Sequence, residues 1–350
     1  SGEERTDRPS EEIAYWSSAL SAAFESRARD ARPAADGSPS LAVRLEESAS
    51  AAEALAAEMD FTFLFDPVRK LFAIGYRGAD GSLDAGRYDL LASEARLTSF
   101  LAVAAGSAPV VHWFRLGRPL ASLSYDSVLM SWSGSMFEYL MPGLVMREPA
   151  GGLLEQTCRR VVRKQIDYGR RLGVPWGASE SAYNARDLEL TYQYSNFGVP
   201  GLGFRRGLRD DVVVAPYATA LASMYVPGEA VRNFARIAAE GGRGRFGFFE
   251  ALDYTPARLP ERARVAVVRA YMAHHQGMSL VALDNVVHGG TMRNRFHNDP
   301  RVRATELLLQ ERTPRDVATT RPPDQELPEV DAARRFVAPV ARRFTTPHGA

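Results

Sequence analysis

The chain contains 350 residues, of which 45% are hydrophobic and 24% are charged, and its formal net charge is +1. This composition is typical of a globular protein and gives no electrostatic basis for binding nucleic acid or an anionic membrane. A single cysteine, Cys158, excludes internal disulfides and thiolate metal cages. No apolar run reaches the roughly 18 residues of a membrane-spanning helix.

Helical periodicity dominates the chain from its first residues to its last. Apolar side chains recur three and four positions apart in ten segments: 11–29, 41–59, 88–105, 135–146, 153–172, 216–224, 228–240, 261–273, 277–287 and 299–310. The one β signal is a small hairpin formed by 61–65 and 71–76 around Asp66-Pro67. Because strands do not alternate with helices, a doubly wound sheet is not expected. The pattern predicts an all-α fold, a helical toroid with one hairpin and long cleft-lining loops.

Three regions are predicted along the chain. Residues 1–58 form N-terminal helices that belong to the toroid or precede it, and residues 59–312 form the catalytic domain. Residues 313–350 are rich in Pro, Arg and Thr, which is typical of a linker. The charged N-terminus lacks the apolar core of a signal peptide, so both ends are expected to be boundaries of a domain within a longer protein.

The segment 176–207 carries the strongest functional signal. It interleaves aromatic rings, which can cover the apolar faces of sugars, with polar groups that can bind sugar hydroxyls. Its candidate substrate-binding residues are Trp176, Tyr183, Asn184, Asp187, Tyr192, Gln193 and Tyr194. For Asp187, an ion pair with a neighbouring arginine is the alternative.

Three glutamates lie where a carboxylate is costly. Glu94 is predicted to interrupt the apolar face of the helix at 88–105, either as a general acid or in an ion pair with a nearby arginine. Glu138 is the only acidic or basic side chain from 127 to 146, where it can be a general acid or anchor a hydroxyl or a loop amide. Glu180 lies between Ser179 and Ser181, whose hydroxyls are expected to keep it ionised as a nucleophile or base; capping of a helix is its alternative.

A second group of polar residues follows later in the chain. Glu250, Asp253 and Tyr254 lie beside phenylalanines and predict a substrate-binding loop, as do the polar side chains of His274, His275 and Gln276. Adjacent histidines point about 100° apart on a helix and no metal-binding spacing accompanies them. No metal and no cofactor are therefore expected.

Several blocks closely resemble the central glycoamylase-like domain of bacterial cyclic β-1,2-glucan synthases, a transglycosylase group in glycoside hydrolase family 189. They include YDLLASEAR, SWSGSMFEYLMP, WGASESAYNARD, YQYSNFGVPGLG and AYMAHHQGMSLVALDN, in consistent order over residues 59–311. The resemblance implies an (α/α)₆ toroid whose cleft holds β-1,2-glucan. It also implies a domain of a larger membrane-bound synthase, placed on the cytoplasmic side of the bacterial inner membrane.

The resemblance further implies anomer-retaining transglycosylation that closes a linear glucan into a ring. It maps the acid/base to Glu94 and the nucleophile to Glu180, with Glu138 and Glu250 as reserves. Retention requires carboxyl groups about 5–5.5 Å apart, against about 6.5–9.5 Å for inversion. The alternatives are an endo-β-1,2-glucanase acting on the same polymer and a non-catalytic glucan-binding domain.

Overall fold

A computed structural model describes residues 8–31, 39–123, 126–313 and 319–320. Its helices are α1 (Arg8–Ala31), α2 (Leu41–Ala57), α3 (Arg96–Ala104), α4 (Val111–Arg115), α5 (Met136–Leu140), α6 (Leu153–Leu172), α7 (Pro216–Ser223), α8 (Pro227–Ala239), α9 (Ala273–Val287), α10 (Thr291–Phe296) and α11 (Pro300–Thr305). Short 3₁₀ turns extend α5 over Met141–Leu144 and α11 over Glu306–Leu309. The predicted linker at 313–350 lies almost wholly outside the described residues.

Short strands lie between the helices. They are β1 (Phe65–Asp66), β2 (Leu71–Ala73), β3 (Tyr76–Arg77), β4 (Ser82–Leu83), β5 (Arg87–Tyr88), β6 (Leu120–Leu123), β7 (Asp126–Leu129), β8 (Ser181–Arg186), β9 (Tyr192–Ser195), β10 (Val213–Val214), β11 (Arg243–Gly244), β12 (Gly247–Phe248), β13 (Ala251–Asp253) and β14 (Ala266–Val268). They pair into two three-stranded sheets, β1-β2-β5 and β10-β13-β14, and four hairpins.

The prediction of an all-α fold is therefore wrong, because the chain mixes helices with several small antiparallel sheets. Most of the unexpected strands lie between the predicted helical segments, where long loops were expected: β6 and β7, β8 and β9, and β11 to β13. Strands of two to six residues are too short to show a clear period of two, and tertiary pairing decides their structure.

Two predicted helices also need correction. The segment 88–105 is helical only in α3, since Leu90 forms a β-bridge with Gly117 before the helix begins. The segment 261–273 contains β14 instead of a helix, and its Ala266 to Val268 pair with β13. In both, the alternation of apolar residues was compatible with either structure, and the strand partner decided between them.

One large apolar core lies between α3 to α7 and α9, and it includes Phe100, Trp113, Tyr139 and Leu140. α7 packs against both α8 and α9, and α5 packs against α6 and α7. α6 ends at Gly173, whose φ of 72° is the left-handed conformation that glycine adopts readily at a helix C-terminus. The segments that follow α6 and α8 meet where β8 contacts β13 and β14.

The two N-terminal helices contribute no buried residue to that core. Every described residue of α2 is exposed. α1 pairs with α2 through Asp30 and Arg44, and its Tyr15 contacts the Phe246 ring and the Arg245 guanidinium. Among the described residues, no helix combines the length and the apolar composition needed to cross a lipid bilayer.

Candidate active site

Glu94 lies in a tight turn directly before α3, and not on the apolar face of a helix as the sequence predicted. Its carboxylate accepts a hydrogen bond from the Ser93 hydroxyl at 3.2 Å. Burial raises the pKa of Glu94, and the nearby charge of Glu138 raises it further. A cavity of about 220 Å³ opens beside this carboxylate, with Phe61, Tyr88 and other largely apolar side chains on its wall.

Arg96 holds the turn that carries Glu94 against α5. The guanidinium is 2% exposed and donates hydrogen bonds to the carbonyl oxygens of Ser93 at 3.2 Å and Glu138 at 3.1 Å. It also forms a buried ion pair with Glu148 at 3.1 Å, so its charge is compensated. The alternative that Glu94 pairs with Arg96 is thus not what the structure shows, because the arginine is directed at Glu148 and at backbone carbonyls.

The Glu138 side chain holds the loop 131–135 in place through hydrogen bonds. Its carboxylate accepts hydrogen bonds from the hydroxyls of Ser131, Ser133 and Ser135 and from the backbone N–H groups of Trp132, Ser133 and Ser135. Ser135 and Glu138 also form a capping box at the start of α5. A carboxylate with this many donors is bound by its own loop, which favours the anchoring role over general acid catalysis.

Two glycines let a second loop support the first. A Cβ atom on Gly198 would lie 1.9 Å from the carbonyl oxygen of Ser133, and one on Gly203 would lie 2.5 Å from its carbonyl carbon. Ser131 and Gly203 are joined by a parallel β-bridge. The loop 198–203 therefore packs backbone against backbone on the Glu138 loop. This leaves the indole of Trp132 48% exposed, in contact with Phe204.

Glu180 lies between α6 and β8, but its serine neighbours do not bind its carboxylate. Ser179 hydrogen bonds with the Tyr217 hydroxyl at 2.7 Å, and the hydroxyl of Ser181 has no partner. The donor to Glu180 is the hydroxyl of Tyr194 on β9, at 3.0 Å. The predicted cradle of small hydroxyl residues is therefore wrong, and a tyrosine from the paired strand takes its place.

A histidine and a second glutamate lie behind that tyrosine. His275 Nε2 is 3.4 Å from the Tyr194 hydroxyl, and His275 Nδ1 is 2.8 Å from Glu250 Oε1. The ring of Tyr217 stacks on the imidazole with centroids 3.8 Å apart, and its hydroxyl donates to the Glu180 carbonyl at 2.9 Å. β8, β9, α7 and α9 thus all contribute to the environment of Glu180.

The charges of Glu94 and Glu138 affect the ionisation of Glu180. Burial raises the pKa of Glu180, the hydrogen bond from Tyr194 opposes that shift, and the charges of Glu94 and Glu138 add to it. Carboxyl groups that perturb one another across a cleft are typical of acid/base sites. The charge of Glu94 therefore acts on Glu180, although the two residues are far apart in sequence, and Tyr194 links Glu180 to His275.

Asn184 and Asp253 belong to a neighbouring polar cluster centred on Arg258. Buried Asp253 accepts hydrogen bonds from the Arg258 guanidinium at 2.7 Å and from the Asn184 backbone N–H at 3.1 Å. The Asn184 amide donates to the Arg258 carbonyl at 2.6 Å, and the guanidinium lies over the Tyr183 ring at 4.8 Å. Because these groups satisfy one another's hydrogen-bonding capacity, they stabilise the β8–β9 hairpin.

The remaining predicted binding residues lie outside the Glu180 cluster. Trp176 is in the core, with its backbone bound to Asn233, and Asp187 caps the β8–β9 turn. The others contact their own surroundings: Tyr192 lies under Arg186, Gln193 reaches Asp187, Tyr254 donates to Glu240, and Gln276 donates to the Phe248 carbonyl. Burial lowers the pKa of His274, whose ring adjoins His275.

Sequence reasoning missed Tyr217 and Trp132. Tyr217 is a single large polar side chain in the small-residue helix α7, an anomaly that could have drawn attention to it. Trp132 stands in the SWSGS run, where serines signal a tight loop and the tryptophan has no helical or strand pattern to bury it. In both cases the residue type was informative, while the partner was not readable from the sequence.

Comparison with protein families gives a clear match. The family model described as "Putative glucoamylase" matches residues 87–300, which include Glu94, Glu138, Glu180, Glu250 and His275. The chain belongs to this glycoamylase family. Over 306 residues it is 53% identical to the cyclic beta-(1,2)-glucan synthase NdvB of Rhizobium meliloti (strain 1021), which confirms the resemblance inferred from the sequence blocks. The match covers 87% of this chain and 11% of that relative.

Solved structures show the same fold at low sequence identity. The endo-beta-1,2-glucanase of Chitinophaga pinensis, in complex with sophorotriose and glucose, has a TM-score of 0.59 and 16% identity, covering 79% of this chain and 66% of its own. A beta-1,2-glucanase from Parabacteroides distasonis has a TM-score of 0.56 and 15% identity. The match covers 75% of this chain and 40% of the glucanase chain. This glycoamylase-family chain therefore shares its architecture with proteins that differ from it in most residues.

Proposed function

We propose that this chain is an anomer-retaining transglycosylase that acts on linear β-1,2-glucan and closes it into a ring. The observation that supports the proposal is that Glu94 and Glu180 both have a raised pKa and that the charge of Glu94 acts on Glu180. The match to a cyclic β-1,2-glucan synthase supports the substrate class. The half-exposed indole of Trp132, next to the Glu138 loop, offers an aromatic face for a sugar ring.

The hydrogen bonds assign the two glutamates to different roles. Tyr194 donates to Glu180, which stabilises its ionised form, whereas Glu94 accepts hydrogen bonds from the Ser93 hydroxyl and its own backbone N–H and adjoins the Glu138 charge. When two nearby carboxyl groups share a proton, the less stabilised anion holds it. Glu94 is therefore assigned as the acid and Glu180 as the nucleophile.

The reaction then has two steps. A Glu180 carboxylate oxygen attacks the anomeric carbon while Glu94 gives its proton to the departing glycosidic oxygen, which forms a glycosyl-enzyme ester. In the second step Glu94, now ionised, takes the proton from the attacking 2-hydroxyl at the far end of the same glucan. The new glycosidic bond forms as the bond to Glu180 breaks, and both carboxyl groups return to their starting states.

Hydrolysis of the same polymer is the second candidate, since the fold is shared with two β-1,2-glucanases. In that case water replaces the sugar hydroxyl in the second step.

We also propose that the chain acts as a domain of a longer membrane-bound synthase on the cytoplasmic side, because it spans 11% of the relative that it matches.

Product analysis separates the two candidates. The chain is incubated with linear β-1,2-glucan, and mass spectrometry distinguishes rings, which lack one water, from short linear products. We expect rings from the unaltered chain and at least about 10³-fold lower turnover in Glu94→Gln and Glu180→Gln, as for loss of a principal catalytic group.

Short linear products alone would favour the hydrolase, and unchanged turnover in both variants would exclude a catalytic role for the pair. Exposed Glu229 on α8 provides the matched control, and Glu229→Gln is expected to leave turnover unchanged.

A further inference from the structure

The hydrogen-bonded chain behind Glu180 contains more ionisable groups than a simple nucleophile site needs. His275 and Glu250 are each 1% exposed at the side chain, and their contact is 2.8 Å. Glu250 Oε1 also accepts the Ala182 backbone N–H at 3.2 Å, and Glu250 Oε2 has no partner. A buried carboxylate with so few donors needs a compensating charge. Within the described part of the chain, the adjacent imidazole is the group in contact that can supply it.

The hydrogen-bond geometry bears on where the protons of that imidazole lie. The Tyr194 hydroxyl has one proton, and in its bond to Glu180 that proton points away from His275. The 3.4 Å contact between Tyr194 and His275 Nε2 is then attractive only if Nε2 carries a proton. If Nδ1 donates to Glu250, His275 then holds protons on both nitrogens and is an imidazolium. A neutral His275 with its proton on Nδ1 would instead accept the Tyr194 proton at Nε2, and Glu180 would lose that donor.

The packing keeps this arrangement in place. Tyr217 lies nearly parallel to the imidazole, with an interplanar angle of 11°, and a cation over an aromatic face is favourable. The other charged or titratable groups near this chain are Glu94 and Glu138, which act on Glu180, and His274, which adjoins His275. The carboxylates oppose ionisation of Glu180, whereas His275 favours it.

We propose that Glu250 holds His275 as an imidazolium, and that this cation directs the Tyr194 hydroxyl onto Glu180. His275 and Glu250 are thus positioning residues that keep Glu180 ionised although it is half-buried and the charges of Glu94 and Glu138 oppose its ionisation. The link between the ionisation of Glu180 and catalysis rests on the proposed function. The ionisation of Glu180 and His275 itself can be measured in the protein without substrate.

The first test is made without substrate. The ionisation of Glu180 is followed by NMR of the ¹³C-labelled glutamate carboxyl, assigned with Glu180→Gln, in the unaltered chain and in Tyr194→Phe, His275→Gln and Glu250→Gln. We expect the pKa of Glu180 to rise in all three variants, since each removes or redirects the donor. The imidazole ¹⁵N shifts should report a doubly protonated His275 that becomes neutral in Glu250→Gln.

The second test is the pH profile of kcat/KM on linear β-1,2-glucan. The acidic limb should move to higher pH in the three variants, with about tenfold or greater loss of kcat/KM on that limb, carried by kcat and not by KM. His288→Gln is the matched control, because His288 contacts Asp284 at 2.9 Å on the same helix but is exposed and distant from Glu180. Its profile should be unchanged.

The possible outcomes are distinct. An unshifted Glu180 titration in folded His275→Gln and Tyr194→Phe would overturn the inference, even if activity fell. A neutral His275 in the unaltered chain would overturn it too. If the titrations shift as expected while the unaltered chain has no activity on the glucan, the positioning inference stands and the proposed function fails.

Discussion

At the scale of single residues, Glu94 and Glu138 show how a carboxylate acquires its role from its donors. Both are acidic side chains in mostly buried surroundings, yet Glu138 accepts hydrogen bonds throughout its loop while Glu94 accepts one from Ser93. The first is therefore stabilised as a structural anion. The second remains a group whose proton is available for chemistry, because burial raises its pKa.

This difference predicts the effect of Glu94→Gln on stability. The pKa of Glu94 is higher in the folded than in the unfolded state, so the stability that its proton contributes is complete below the ordinary glutamate pKa and is lost as the pH rises through the folded-state pKa. Glutamine keeps the neutral form at every pH. We expect a higher Tm for the variant at pH 7 to 8, and no gain near pH 4.

Scanning calorimetry across this pH range provides the measurement. Each unit by which the pKa is raised corresponds to about 1.4 kcal/mol. Glu229→Gln is the control of opposite sign, since its hydrogen bond with Arg232 lowers the pKa of Glu229 and glutamine should give no gain there. A pH-independent change in Tm for Glu94→Gln would contradict the explanation by desolvation.

At the scale of elements, the site depends on two loops whose backbones touch. The loop 131–135 binds Glu138, and the loop 198–203 covers it through glycines that lack the Cβ atom needed to keep them apart. α5 starts directly from the first loop through its capping box. Disturbing one loop should therefore displace the helix start and the acidic groups together.

Gly198→Ala tests this contact. The new methyl group would lie 1.9 Å from the Ser133 carbonyl oxygen. Because this oxygen belongs to the backbone, no side-chain rotation can relieve the clash. We expect a loss of about 1–3 kcal/mol in the free energy of unfolding, as for overpacking, measured by denaturant titration.

Gly277 provides a control within α9, where a Cβ atom meets nothing within 4 Å. Gly277→Ala should raise the stability by about 0.5–1 kcal/mol, because alanine favours the helix interior. Equal effects of the two substitutions would show that the loop contact is not tight.

At the scale of the whole molecule, the core and the site lie between residue 59 and residue 313, and the first two helices stand apart. α2 buries none of its described residues, and α1 contacts the rest through the Tyr15 ring. We therefore expect a chain lacking residues 1–58 to fold with an unchanged Tm by calorimetry.

A longer deletion provides the contrast. Removing residues 1–73 also removes Phe72, which is buried against Ala102 and lies 4.7 Å from the ring of His112. That chain should lose several kcal/mol, as for truncation of a buried aromatic residue. A large drop in Tm on removing only residues 1–58 would instead place α1 and α2 within the folded unit.

The long helices could be predicted from the sequence because their signals are local. α6, with Leu154, Cys158 and Val162 buried on one face, follows the expected bounds, and α8 follows them to within one residue. The small sheets could not, because β10, β13 and β14 find their partners 13 to 40 residues away. The same limit explains why Tyr217 was missed: its role exists only where α7 meets α9.

The sequence by itself determined the family, the acidic residues at issue and the aromatic character of the segment 176–207, because these depend on residue types in order along the chain. Only the tertiary structure decided which donor each carboxylate receives. Glu138 is bound by its own serines, while Glu180 depends on Tyr194 and, behind it, His275 and Glu250. The physical reason is that desolvation and hydrogen bonds set the protonation of a carboxyl group, and both arise from neighbours that folding brings together.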